Sequence, residues 1–253
     1  MSDKLVVIKV GGSLITDKSK PLSLRKIVLN RVARELAHLT CERRLVVIHG
    51  GGSYGHFVVQ KMRGSSQLEL LAEVRYWMSL LNLEVVGAFI RHSIPAVGLP
   101  PLTLVEVESG EVCRVDTELL ARLLELGAIP VSHGDVVLDK ASGLTILSGD
   151  VLAREIAVRM SADALVFLMD VNGVYTEDPH SSPNARLIRY LTRDEAERIG
   201  GGGVGVDVTG GIRLKLVEAL RAAEAGVRVA LGGIGELRAM VLGLEGQYTM
   251  VKP

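Results

Sequence analysis

Charged side chains stand beside glycines at two points near the start of this sequence. HGGGSYGH at 49–56 ends an apolar run with three glycines and places His56 close behind them, and KVGGS puts Lys9 two positions before a glycine pair. Glycine lets a backbone approach a ligand closely. Lys9 interrupts an apolar run, and burying its ammonium without a partner is costly. Both stretches therefore predict a site for a small anion, and phosphate is a natural partner for Lys9.

Three further charged residues stand near glycines or the expected ends of strands. Lys18 comes nine residues after Lys9, Asp150 follows a serine and a glycine, and Lys215 comes shortly after a glycine pair. Taken singly, Lys18 is interpreted as a solvated loop residue, Asp150 as a helix N-cap and Lys215 as a surface helix lysine. His49 is predicted to orient its loop rather than to react.

Two common phosphate-binding motifs do not fit the glycine-rich stretch. A Walker A motif requires Lys and Ser or Thr after its last glycine, but His56 follows Gly55. The spacing of a dinucleotide fingerprint is present, but no acidic residue ends a strand about 20 residues further on. What remains is a cradle in which glycine backbones and a helix N-terminus hold an anion.

Composition narrows the class of protein and its partners. Of the 253 residues, 48% are hydrophobic and 23% charged, as in an ordinary globular protein. Lys plus Arg equals Asp plus Glu at 29 each, which argues against nucleic acid as the main partner. The two cysteines, Cys41 and Cys113, are predicted to be reduced and buried. No apolar run indicates a signal peptide or a membrane span, so we expect a cytoplasmic protein.

Alternating apolar and amphipathic segments must position these residues. The predicted strands are 5–10, 44–50, 95–99, 129–138, 144–150, 164–171 and 228–233. The predicted helices are 24–39, 67–92, 116–126, 151–160, 192–199, 214–225 and 236–242. This alternation predicts an α/β fold with an open, mainly parallel sheet covered on both faces, in which ligands bind beyond the carboxyl ends of the strands. The glycine-rich segment 200–211 is interpreted as a mobile loop ahead of a helix.

Five motifs in order resemble the amino acid kinase family, which has the carbamate kinase-like fold. They are KVGGS, HGGGSYGH, LSGD, LMDVNGVYTEDP and DVTGGIRLK, and they span essentially the whole chain. Within that family, the Lys9–Lys18 spacing and His56 resemble the isopentenyl phosphate kinases, although Tyr54 stands where those more often have Phe. The resemblance implies a three-layer αβα sandwich and one domain, 1–253. Its acceptor-binding lobe would be 1–162 and its nucleotide-binding lobe 163–253.

The resemblance also implies an activity, its partners and a set of site residues. The activity is transfer of the ATP γ-phosphoryl group to isopentenyl phosphate, with Mg²⁺ bound chiefly through ATP and no metal cluster on the protein. A homodimer that uses the 67–92 helix is also expected. The implied catalytic residues are Lys9, Lys18, His56, Asp150 and Lys215. The implied ATP-binding residues are Lys9, Gly11, Gly12, Ser13, Gly52, Asp170, Tyr175, Asp178, Gly211 and Lys215. The implied acceptor-binding residues are Gly51, His56 and Gly149.

Three alternative functions stay open at this point. The nearest is a kinase for another small phosphate or a phosphonate such as fosfomycin, which would use a similar histidine. A kinase for a carboxylate, carbamate or UMP is disfavoured by His56. A non-catalytic relative that binds nucleotide or anions is disfavoured because Lys9, Lys18, Asp150 and Lys215 are present together.

Overall fold

A three-layer arrangement of helices around a central sheet is seen in the computed structural model, which describes residues 4–200 and 210–253. The strands are β1 (Leu5–Val10), β2 (Arg44–His49), β3 (Ala96–Gly98), β4 (Val105–Glu108), β5 (Glu111–Val115), β6 (Ile129–His133), β7 (Asp135–Asp139), β8 (Gly143–Leu147), β9 (Ala164–Leu168), β10 (Tyr190–Leu191), β11 (Arg228–Gly232) and β12 (Thr249–Val251). The helices are α1 (Gly12–Ile15), α2 (Lys26–Leu39), α3 (Gly52–Lys61), α4 (Gln67–Arg91), α5 (Pro101–Leu104), α6 (Thr117–Glu125), α7 (Gly149–Arg159), α8 (Arg193–Gly200), α9 (Gly210–Glu224) and α10 (Leu237–Leu242).

The central sheet is mainly parallel, as the sequence predicts. Its eight strands lie in the order β10-β12-β11-β9-β1-β2-β6-β3. The run from β11 to β3 is parallel, whereas β12 pairs antiparallel with β11. The β1–β9 pair crosses the predicted lobe boundary at 162/163, so the two lobes would share one sheet. The division into lobes stays a prediction.

Side-chain alternation along β1 shows why both faces of the sheet are covered. Leu5 and Val7 join a core that includes buried residues of α6, α7 and α9. Val6, Ile8 and Val10 join a second core with α2, α4 and α10. Because successive strand residues point to opposite faces, Lys9 lies on the side of α7 and α9. The three-layer αβα sandwich is therefore confirmed.

A smaller sheet, with the order β5-β4-β7-β8, was not predicted. The segment 129–138 was predicted as one strand, but β6 belongs to the central sheet and β7 to the smaller one. No strand was predicted for 105–115, where β4 and β5 form an antiparallel hairpin. This hairpin alternates apolar and charged residues over very short strands, a pattern that carries little signal. The segment 144–150 also pairs here, as β8, and its end leads directly into α7.

Most predicted helices are present, and one of them is long. The segment predicted at 67–92 is a single helix of 25 residues, α4, which begins with a capping box formed by Ser66 and Glu69. A second capping box is formed by Thr192 and Glu195 at the start of α8. The loop prediction for 200–211 falls largely on 201–209, outside the described residues. Within the described ranges, no helix is both long and apolar enough to cross a membrane.

The prediction that both cysteines are buried is wrong. Cys41 and Cys113 are free thiols, and both are exposed. Cys41 lies in the turn after α2, and Cys113 lies on β5 directly after buried Val112, so its side chain points to the opposite, exposed face of the strand.

Candidate active site

The carboxylate of Asp150 lies at the centre of a charged cluster at the start of α7. Its Oδ1 atom is 2.8 Å from Nζ of Lys9 and 2.9 Å from Nζ of Lys215. Ser148, and not Asp150, is the N-cap of α7, since its hydroxyl accepts a hydrogen bond from the Asp150 backbone N–H. The carboxylate of Asp150 is thus available to hold two lysines from β1 and α9, and the interpretation of Lys215 as an ordinary surface lysine is wrong.

Two ammonium groups share one carboxylate in this cluster, which leaves it with excess positive charge. Burial acts to raise the pKa of Asp150, but the charges of Lys9 and Lys215 outweigh it and bring that pKa down to about 2. Burial and the neighbouring charge of Lys9 lower the pKa of Lys215 to about 8. The Nζ atom of Lys215 also lies 5.1 Å from the centre of the Phe167 ring. An anion bound here would relieve the repulsion between the lysines.

A second ion pair fixes α9 against α7 about one turn away from this cluster. Nε of Arg154 lies 2.7 Å from Oε2 of Glu218, whose side chain is 1% exposed. Arg154 follows Asp150 by four residues and Glu218 follows Lys215 by three, so each helix presents both charges on one face. In the first pair α7 carries the acid and α9 the base, whereas in the second pair α7 carries the base and α9 the acid. The two pairs together set the position of Lys215.

The glycines of the β1 and β2 loops are required by the contact between the loops themselves. A Cβ atom on Gly12 would lie 2.3 Å from the backbone N of Gly52. At Gly52, where φ is +49°, a Cβ atom would lie 1.9 Å from Oγ1 of Thr16. A Cβ atom on Gly50 would lie 2.9 Å from the backbone N of Gly12. Gly12 and Gly52 were predicted to contact ATP, but close backbone approach of the two loops already explains these glycines.

A third loop, between β8 and α7, joins the same contact. A Cβ atom on Gly149 would lie 3.1 Å from the carbonyl O of His49, which also accepts a hydrogen bond from Gly134 N at 3.1 Å. Gly51 packs at the other side of the β2 loop, where a Cβ atom would lie 3.1 Å from Sδ of Met78. On the β1 loop, Gly11 N donates to Leu168 O of β9. The structure thus brings the loops after β1, β2, β8 and β9 together.

Lys18 and His56 are both exposed, on segments that follow β1 and β2. Lys18 is in the turn after α1, and His56 is on the first half of α3. Partial burial lowers the pKa of His56, and the positive charges of Lys18 and Lys9 lower it further.

The residues expected along a nucleotide lie beyond the end of β9, next to β1 in the sheet. Asp170 is exposed, Tyr175 is half-buried and forms a backbone bridge with Leu187, and Oδ1 of Asp178 accepts a hydrogen bond from His180 N at 2.9 Å. Ser13 is half-buried in α1, and Gly211 lies in the first turn of α9. In the part of the chain that the structure describes, no group of three or more His, Cys, Asp or Glu side chains is placed to hold a metal ion.

A buried polar cluster beneath the β2 loop was missed. The rings of His49 and His133 stack with centroids 5.2 Å apart. His49 also contacts Asn82 Oδ1 through Nε2 at 3.1 Å and Gly50 O through Nδ1 at 3.2 Å. The contact to Gly50 O, within its own loop, agrees with the predicted orienting role. No partner was predicted for His133. Both histidines precede a glycine at the end of neighbouring strands, and this repeated His-Gly pair could have indicated the contact.

The free energy of unfolding is expected to fall as the pH drops from 6.5 towards 5, because His49 and His133 are buried. Burial lowers the pKa of His49 to about 3 and that of His133 to about 4, while an unfolded histidine titrates near about 6.5. Below that value the unfolded chain binds protons that the folded chain does not, so the folded state loses up to about 1.4 kcal/mol per pH unit for each histidine. Urea unfolding at pH 7, 6 and 5 measures this slope.

A matched pair of variants isolates the contribution of the buried ring. His133→Gln should flatten the dependence of unfolding free energy on pH, whereas His38→Gln, at an exposed position on α2, should leave it unchanged. The same slope in His133→Gln as in the parent protein would show that other groups cause it.

Comparison with known proteins identifies the family of this chain. A sequence profile described as the amino acid kinase family matches residues 4–232. The chain belongs to the amino acid kinase family. An isopentenyl phosphate kinase from Methanothermobacter thermautotrophicus is 33% identical to it over 237 residues, covering 88% of each chain. One from Arabidopsis thaliana is 33% identical over 209 residues, covering 74% of this chain and 63% of the relative.

Solved structures agree with that assignment. A crystal structure of isopentenyl phosphate kinase superposes with a TM-score of 0.82 at 29% identity, covering 98% of this chain and all of the other. Carbamate kinase from Giardia lamblia superposes with a TM-score of 0.74 at 13% identity, a likeness that concerns the fold alone. The family and the fold inferred from the five motifs are therefore confirmed.

Proposed function

We propose that this protein transfers the γ-phosphoryl group of ATP to isopentenyl phosphate, giving isopentenyl diphosphate for isoprenoid biosynthesis. The observation that carries the proposal is the cluster in which Asp150 holds Lys9 and Lys215, together with the hydrogen bond that joins the loop after β1, which leads to Lys18, to the start of the helix that carries His56. Relatives that bear the name isopentenyl phosphate kinase, with up to 33% identity, support this choice of acceptor. Use of ATP also fits a cytoplasmic enzyme.

The chemistry of the acceptor explains why such a site suffices. A phosphate monoester has a second pKa near about 6, so it is already a nucleophilic dianion at neutral pH and needs no strong general base. The difficulty is repulsion between this dianion and the polyphosphate of ATP. Catalysis then consists of positioning and charge neutralisation. Three lysines, the glycine N–H groups and a histidine are suited to both tasks, and Mg²⁺ enters bound to ATP.

The roles proposed for individual residues rest on the resemblance of their motifs to those of the family. Lys9, Lys215 and the loop of Gly11, Gly12 and Ser13 hold the phosphates of ATP. Asp150 orients the two lysines, and Lys18 stabilises the phosphoryl group in transfer. His56, Gly51 and Gly149 bind the acceptor phosphate. The remaining nucleotide contacts are assigned to Gly52, Asp170, Tyr175, Asp178 and Gly211.

An ADP-release assay across several acceptors tests the function directly. The acceptors are isopentenyl phosphate, dimethylallyl phosphate, fosfomycin, UMP and glutamate, each with Mg·ATP. Glutamate is included because glutamate 5-kinases are among the relatives, at 29% identity. We expect the highest kcat/KM with isopentenyl phosphate. Preference for fosfomycin would support the phosphonate alternative, and turnover of only UMP or glutamate would contradict the proposal.

A homodimer is expected to form through α4. Tyr76, Leu83 and Ile90 are exposed, and because they are seven residues apart they share one face of this helix. Light scattering at micromolar concentration should give twice the mass of one chain. Leu83→Arg should shift the mass towards one chain, whereas Leu126→Arg, at an exposed apolar position just after α6, should not. A parent protein with the mass of a single chain would refute the dimer.

A further inference from the structure

Thr16 is a fully buried polar residue that connects the loops after β1 and β2. Its side chain is 0% exposed, and its Oγ1 donates a hydrogen bond to Gly12 O at 2.7 Å. The same Oγ1 accepts a hydrogen bond from the backbone N–H of Ser53, at the start of α3, at 2.9 Å. One hydroxyl thus uses both its donor and its acceptor capacity to tie the β1 loop to the helix that carries His56.

Ser53 extends this connection to a third segment. Its hydroxyl accepts a hydrogen bond from Ser23 N at 3.1 Å, and the Ser53 side chain is itself buried. Ser23 lies thirty residues earlier in the chain, so the contact is tertiary rather than local. Thr16 and Ser53 together form a hydroxyl clamp.

The segment held by the clamp is the hairpin-like loop that carries Lys18. Asp17 N donates to Ser23 O at 2.9 Å, and Arg25 N donates to Ile15 O at 2.8 Å, which closes the loop at its base. Leu22 within it has φ of 50°, a left-handed conformation that is costly for leucine. Such a conformation persists where the surroundings fix it, and it recurs at functional sites.

We propose that Thr16 and Ser53 are positioning residues, which hold the Lys18 loop at a fixed distance from the helix that carries His56. The proposal rests on the proposed function, in which Lys18 acts on the transferring phosphoryl group and His56 binds the acceptor. Lys18 follows Thr16 by two residues, and His56 follows Ser53 by three. The clamp therefore joins the residues that act on the phosphoryl group and on its acceptor through a short, buried path.

Loss of the clamp should affect turnover more than ATP binding. The β1 loop keeps backbone hydrogen bonds that do not involve the hydroxyl, from Thr16 N to Gly12 O and from Ile15 N to Gly11 O. The loop that contacts ATP is thus held twice. The Ser53 N–H, by contrast, has the Thr16 hydroxyl as its acceptor, so the helix start and the Lys18 loop depend on the clamp.

The kinetic test compares Thr16→Val, which keeps the shape but removes the hydroxyl, with Thr16→Ser, which keeps the hydroxyl. We expect Thr16→Val to lower kcat at least about tenfold, because misplacement by 1 Å costs up to about a hundredfold. The KM for ATP should change much less, and Thr16→Ser should retain most of the turnover. Ser53→Ala, which removes the acceptor of Ser23 N, should resemble Thr16→Val and provides the test if that variant does not fold.

A double-mutant cycle distinguishes positioning from general damage. In a Lys18→Ala background, Thr16→Val should lower kcat by less than about twofold, since residues that act through one another are not additive. Equal fold-losses in both backgrounds would overturn the proposal, as would a Thr16→Val variant with parent-like kcat.

Hydrogen exchange provides a readout that needs no acceptor. In Thr16→Val, amides of 17–25 and 52–56 should exchange faster than in the parent, while those of β1 should not change. Unchanged exchange in both segments would overturn the clamp. A parent protein that does not turn over isopentenyl phosphate would contradict the proposed function instead, and the exchange comparison would still decide the clamp.

Discussion

Replacing Lys18 by alanine is expected to lower kcat about a hundredfold or more, the scale of removing one preorganised donor from a developing charge, about 3 kcal/mol. The ammonium of Lys18 is on an exposed turn and has no ion-pair partner among residues 4–200 and 210–253. The Asp17 carboxylate beside it is bound instead to the N–H and hydroxyl of Ser19. Lys18 is therefore available for charge that appears only during transfer, and such a group contributes to kcat rather than to ATP affinity.

A neighbouring lysine provides the control for this prediction. Lys20→Ala removes the same charge from the same exposed loop and should leave kcat within about twofold of the parent, since exposed charges are strongly screened. Steady-state kinetics with both substrates, together with the Kd for ATP, measure the two effects separately. If Lys18→Ala changes kcat by less than about threefold, or weakens ATP binding as strongly as it slows turnover, Lys18 is an ordinary loop lysine.

Strand ends and glycine patterns let the sequence predict which loops meet. Buried runs such as LVVIKV and RLVVIH give parallel strands, and ligands bind where such strands end. A buried partner for Lys9 was predictable because an unpartnered ammonium in an apolar strand is costly. The structure supplies its partner, the carboxylate of Asp150, from a helix 140 residues further along the chain.

Contacts between distant segments could not be predicted from a single sequence. Thr16 and Ser53 are common residues with no pattern of their own, and their importance comes from a hydrogen bond across 37 residues. The glycines at 12 and 52 signalled close approach correctly, but only the structure shows that each approaches the other's loop. The small sheet escaped prediction for a similar reason, because β4 and β7 pair only through tertiary contact.

His56→Ala should lower kcat/KM for isopentenyl phosphate by about 10- to 100-fold, as expected for loss of a hydrogen bond to a charged group. His56→Gln should stay well above the alanine variant. The reason is the protonation state of the His56 ring. Partial burial, Lys18 and Lys9 lower the pKa of His56, which favours the uncharged imidazole, and this form would bind phosphate through one N–H donor. Glutamine keeps a donor but cannot take up a proton as a base, so it separates binding from base catalysis.

Acceptor titrations of the two variants distinguish two roles of His56, a hydrogen-bond donor to the acceptor phosphate (the contact mechanism) and a general base. In the contact mechanism the KM for isopentenyl phosphate rises strongly in His56→Ala and less in His56→Gln, while the KM for ATP stays near the parent value in both. His38→Gln, on the exposed side of α2, is the matched histidine control and should match the parent. Two inactive variants that still bind isopentenyl phosphate normally would establish base catalysis. A fully active His56→Ala would make the histidine structural, since a dianionic acceptor that lost its donor in this site should not bind as before.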